Sequence, residues 1–204
     1  MRSNEEMIAA LGDLVRINSV AGVNVTPLAP YGEGPARALE STLALCASLG
    51  MDTVNRDGKV GWAEIGQGEE MVGVLVHLDV VPAGEGWDYP AWDLTEENGR
   101  LYGRGVIDDK GPAIACIYAM KDLLDSGVKL NRRIRLIFGQ SEEVGVWEDM
   151  EWYKAHEELP VFGFTPDADF PAIYGEKGIL CMELSLPLSA SALAMDRLAW
   201  YERI

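Results

Sequence analysis

The sequence predicts an α/β layered fold with a mostly parallel sheet flanked by helices, and three observations predict it. Residues 71–76 form a nearly unbroken apolar run, as a strand buried on both faces requires. Strand-like segments alternate with segments of helical periodicity, the order that builds parallel sheets. Imidazole and carboxylate residues fall just past the strand-like segments, at the edge where open α/β sheets bind ligands.

Each element has its own signal. Ser3 and Glu6 form a capping-box pattern, and Met7, Ile8, Leu11, Leu14 and Val15 share one helical face. A second helix is expected from near Pro35, suited to a first turn, to Gly50, with Leu39, Leu43, Cys46 and Leu49 as its apolar stripe. Short strands follow at Thr53-Val54 and 60–65, with Asp57-Gly58 as the tight turn between them. Beyond the 71–76 strand, a Gly- and Pro-rich loop carrying Trp87 and Trp92 leads to Leu101-Tyr102. A helix over 111–126 carries Ile114, Ile117, Leu123 and Leu124 and stops at Gly127. Residues 133–138 alternate as a strand, 147–157 as a helix, and 161–164 as a short strand. Extended segments near Ile173 and over 179–186 precede a stretch, 190–204, that reads as helical.

Composition bounds the function. A chain of 204 residues, 48% of them apolar, can bury one substantial core. A net charge of -16 argues against nucleic-acid binding, which needs clustered Lys and Arg. Most of that acidity reads as solvated surface, and part could group around a cation. No segment approaches the roughly 18 apolar residues of a membrane span, and the acidic, amphipathic N-terminus is not a secretory signal. Cys46, Cys116 and Cys181 are far apart with no CxxC pair, and read as small buried hydrophobes of a reducing compartment. The cytoplasm is the expected location.

His77 and Asp79 end the 71–76 run, Glu142 and Glu143 follow the 133–138 strand, and Asp167 follows the 161–164 strand. Asp108 and Asp109 lie in the loop entering the 111–126 helix. Alone, each is ordinary: a polar strand end, a solvated Glu pair, helix-capping aspartates, a turn residue. Together, four segments deliver one imidazole and several carboxylates to one edge, a cluster that repels itself unless cations fill it. That donor set suits zinc, or manganese or cobalt. Asp79, two residues from His77, can hold the imidazole from behind. Of the adjacent pair Glu142-Glu143, one carboxylate can bind a metal while the other takes a proton from water.

The same residues carry a resemblance. Val76-His77-Leu78-Asp79-Val80-Val81-Pro82, Gly103-Arg104-Gly105-Val106-Ile107-Asp108-Asp109-Lys110-Gly111, Ser141-Glu142-Glu143 and Pro166-Asp167-Ala168-Asp169 together resemble the M20 metallopeptidases. The Tyr31-Gly32-Glu33-Gly34, Pro82-Ala83-Gly84-Glu85-Gly86-Trp87 and Gly175-Glu176-Lys177-Gly178 segments look like those of bacterial Xaa-His dipeptidases of the PepV type. The resemblance implies a zinc-exopeptidase-like catalytic domain that hydrolyses an amide bond in dipeptides or small peptides with two zinc ions. It implies that His77 and Asp167 bind one zinc, Asp108 bridges both and Glu143 binds the second. Glu142 would be the general base and Asp79 would orient His77. A cis peptide is implied at Asp108-Asp109.

The family pattern also includes a further metal-binding His downstream and a second, lid domain. This chain has 2 His, and His156 sits in a helix away from every motif. The expectation is therefore a partial catalytic domain over 1–186 and a helical tail over 187–204, with the lid and the C-terminal catalytic segment absent: a fragment of a longer enzyme. An N-acyl amino acid deacylase or desuccinylase and an inactive metal-binding fragment are the competing readings. A nucleotide site is not expected, since neither GxG, at Gly32 nor at Gly103, leads from an apolar strand into a helix with the third small residue in place.

Overall fold

A computed structural model of the chain describes residues 4–145, 147–169, 172–175 and 178. Ser3 and the segments 179–186 and 190–204 lie outside them. Residues 172–175, expected to be extended, form no strand. The chain divides into two compact units, 1–168 and 169–204, and the fold that follows is that of the first.

Eleven elements are described, in the order α1 (Asn4–Val15), α2 (Glu33–Ser48), β1 (Asp52–Asn55), β2 (Gly61–Ile65), β3 (Met71–His77), β4 (Thr95–Glu97), β5 (Arg100–Tyr102), α3 (Lys110–Asp125), β6 (Arg133–Gly139), α4 (Glu148–His156) and β7 (Phe162–Phe164). The main sheet runs β1-β2-β6-β3-β7. β3 pairs in parallel with both β6 and β7, while β2 extends the sheet antiparallel to β6 and β1 antiparallel to β2. The three strands expected to deliver ligand-type residues are therefore the three parallel ones, so their carboxyl ends open on one edge. The register sets His77 opposite Gly139, which brings the exits of β3 and β6 level.

Alternation along the strands explains the layers. Val74, Val76, Leu136, Phe138, Ala63 and Ile65 face a core shared with Leu11, Leu14 and Val15 of α1, Leu39 and Leu43 of α2, and Ile114 and Ile117 of α3. On the opposite face, Trp62 and Ile137 pack with Tyr153 of α4. Arg135, buried on that face, bonds Glu64 at 2.7 Å and the Tyr153 hydroxyl at 2.9 Å, and lies over the Trp62 ring at 4.6 Å. No helix among the described residues is long and apolar enough to cross a membrane.

One expectation is revised. The β4–β5 hairpin stands where only a loop is expected, because Thr95-Glu96-Glu97 offers no apolar alternation. Its signal was the turn: Asn98 and Gly99 both have positive φ, the conformation that an Asn-Gly pair favours between two strands.

Cys46 is fully buried on α2, and burial pushes its thiol up to about 12. The native chain treated with iodoacetamide at pH 8 should label Cys46 at least about 100-fold more slowly than the denatured chain, because the reactive thiolate is suppressed. Peptide mapping by mass spectrometry checks this. Equal labelling in both states would show that the thiol is accessible.

Candidate metal centre

His77 is the last residue of β3, and its side chain is nearly inaccessible. Two oxygens of Asp79 hold the ring from behind. Nδ1 lies 3.0 Å from the Asp79 carbonyl oxygen and 3.4 Å from Asp79 Oδ1. Asp79 reaches the ring from just past the strand's end rather than from within it. Nε2 faces outward, 2.9 Å from Asp108 Oδ1, 3.4 Å from Asp167 Oδ2 and 4.0 Å from Glu142 Oε2. Four segments distant in sequence thus meet on one imidazole nitrogen. Burial alone would lower the pKa of His77. The hydrogen bond and charge of Asp79, with the charges of Asp109 and Asp167, outweigh it and raise the ring to about 10.

Asp108 and Asp109 are joined by a cis peptide bond. Their carboxylates approach His77 differently. Asp108 is 55% exposed and meets Nε2 from the open side. Asp109 is wholly buried and accepts the His77 backbone N–H on Oδ2 at 3.1 Å. Its Oδ1 is also buried and bonds to no described residue. Burial lifts this carboxyl to about 7. One donor atom each from His77, Asp109 and Asp167 lies within 4.8 Å of the others. The sequence places Asp109 in the carboxylate cluster beside Asp108 and, taken alone, makes it a helix-capping residue, without a metal role of its own. It does occupy the N-cap position of α3, but its side chain makes no capping bond. Only its adjacency to Asp108 hinted at more.

The loop behind these carboxylates is fastened from both sides. Gly105 O accepts the N–H groups of Lys110 and Gly111, at 2.9 and 3.3 Å. A Cβ on Gly111 would stand 2.0 Å from Val106 O, so no side chain fits there. Lys110 is fully buried and donates from Nζ to the carbonyls of Leu14, at 3.0 Å, and Ile17, at 2.8 Å. Burial pushes its ammonium down to about 7, against the opposing pull of Asp79. It ties the cis-peptide loop to the end of α1. The sequence alone gives Lys110 no role, since nothing local marks a lysine as buried.

Glu142 and Glu143 leave β6 with their N–H groups bonded to Asp79 Oδ1 and Oδ2, at 3.2 and 3.0 Å. Burial raises both carboxyls. The charges of Asp167, Asp79 and Asp108 add to this at Glu142, and Asp108 does so first at Glu143. Glu142 thus reaches the imidazole, while Glu143 joins the same negative field. His156 stands apart on α4, exposed, stacked on Trp152 with ring centroids 4.4 Å apart.

A parallel sheet edge presenting one imidazole ringed by carboxylates defines a candidate centre for a divalent cation. Zinc ligands stand about 2.0–2.2 Å from the ion and so up to about 4 Å from one another. The observed spacing therefore fits after a small closure. The sequence profile of peptidase family M20/M25/M40 matches residues 73–185, and the chain belongs to this family. It is 44% identical over 188 residues to the protein named "Putative dipeptidase YtjP" of Bacillus subtilis, covering 92% of this chain and 40% of that protein. It is 42% identical over 180 residues to a Staphylococcus epidermidis protein named "Putative dipeptidase", covering 88% of this chain and 38% of that one. The fold is also similar to the crystal structure of human carnosine dipeptidase 1, with a TM-score of 0.70 and 26% identity over 82% of this chain and 39% of that one. The chain spans about two fifths of the length of these proteins.

Proposed function

We propose that this chain belongs to a metal-dependent hydrolase that cleaves the amide bond of dipeptides or small peptides. The single observation that carries the reading is the meeting of Asp108 and Asp167 on His77 Nε2, at 2.9 and 3.4 Å. In this reading His77 and Asp167 hold one zinc, Asp108 faces both metal positions, and Glu143 serves the second, with manganese or cobalt as substitutes. Asp108 is preferred to Asp109 as the bridge because Asp109 already uses one oxygen on the His77 amide. Bound metal would polarise the scissile carbonyl and make water a better nucleophile. Glu142 takes the proton from that water and returns it to the leaving amine, a role suited to a carboxylate that burial has made more basic. Asp79 keeps the imidazole turned toward the site. The names of the relatives favour a dipeptide over an N-acyl amino acid. Cys46 and Cys116 are free thiols, which suits a reducing compartment such as the cytoplasm.

The test compares hydrolysis of dipeptides and N-acyl amino acids with zinc, after chelation, and after zinc is restored. Dipeptide cleavage that chelation abolishes and zinc returns is expected. Cleavage unaffected by chelation would end the metal reading, and preferential release of acyl groups would move the chain to the deacylases.

A further inference from the structure

Four consecutive backbone amides at the exit of β6 are held by two carboxylates. Asp79 takes the N–H groups of Glu142 and Glu143, as described above. Asp149, the second residue of α4, takes those of Gln140 at 2.6 Å and Ser141 at 3.2 Å, both on Oδ2. Its Oδ1 accepts the Ser141 hydroxyl at 2.9 Å and the Met150 N–H at 2.8 Å. Asp149 is 1% exposed, and among the described residues its carboxylate is held by these four neutral donors. Room for it is kept by Gly139, where a Cβ would stand 3.2 Å from Oδ2. Nothing in the motif resemblance touches this residue.

We infer that Asp149 is a positioning residue for Glu142, acting through the Gln140-Ser141 amides that lead into the Glu142-Glu143 pair. Charge-assisted bonds of this kind are roughly twice as strong as neutral ones. With Asp79 they pin the segment at both halves, so the Glu142 carboxylate is aimed by α4 as well as by the segment just past β3. The inference rests on the reading of Glu142 as the general base. An error of about 1 Å in such a group costs on the order of 100-fold in rate.

The test uses the full chain with zinc added. Asp149→Ala should lower kcat at least about 30-fold while KM stays within about 3-fold and zinc content is unchanged. Asp149→Asn should recover most of that loss. Its carbonyl can still accept Gln140 and Ser141, and its amide can donate to the Ser141 hydroxyl. Hydrogen exchange of the 140–143 amides should quicken at least about 10-fold in the Ala variant and much less in Asn. Wild-type kcat in Asp149→Ala, or unchanged exchange, overturns the inference. Equal losses of kcat, KM and zinc in both variants would mean a purely structural residue and also overturn it. A wild-type chain that hydrolyses nothing defeats the functional reading instead, and exchange at 140–143 then decides the clamp alone: faster supports it, unchanged refutes it.

Discussion

Glu142→Ala is expected to lower dipeptide turnover by about 10²- to 10⁴-fold while the chain still binds zinc, the loss typical of removing a general base. Its Oε2 is 4.0 Å from His77 Nε2, farther than the oxygens of Asp108 and Asp167 on the same nitrogen. In the proposed mechanism Asp108 and Asp167 face the cation position, while Glu142 takes the proton from water. Its carboxyl is raised chiefly by burial, with neighbouring carboxylates adding to the effect, which strengthens it as a base. Initial rates and zinc content measured on one preparation check the outcome. Near-normal rates would remove Glu142 from the role, and loss of zinc along with rate would make it a ligand.

Lys110→Met should destabilise the fold by about 3 kcal/mol, read as a lower urea midpoint with an unchanged slope. Methionine fills similar space, so the effect isolates the ammonium. Without it the Leu14 and Ile17 carbonyls lose their bonds to Nζ, and the buried Asp79 carboxylate loses a nearby positive partner. The consequence reaches the site, because the same residue follows the Asp108-Asp109 pair. A midpoint within experimental error of wild type would show that the bonds from Nζ contribute nothing net.

Much of the fold was legible because β3 is a nearly unbroken apolar run and β6 alternates, and such patterns are local. β3, β6 and α2 stand within a residue or two of their expected bounds. The same is true of the edge on which His77, Asp79, Glu142 and Asp167 fall, since a residue just past a parallel strand must emerge at the sheet's carboxyl side. The β4–β5 hairpin was harder, being polar and held by its Asn98-Gly99 turn. Asp149 gave no local signal at all: it reads as one acid among Glu148, Asp149 and Glu151 in the first turn of a surface helix.

Chain order and strand periodicity alone dictate which residue types gather at the edge. Which oxygen meets which nitrogen was decided only by tertiary structure. Asp108 and Asp109 are neighbours in sequence, yet one opens toward solvent and the other is sealed against the backbone of His77. Lys110 and Asp149 became buried, bonded charges for the same reason. Burial and hydrogen-bond satisfaction depend on what other segments bring to the spot: the end of α1 reaches Lys110 from far along the chain, and the exit of β6 folds back on Asp149.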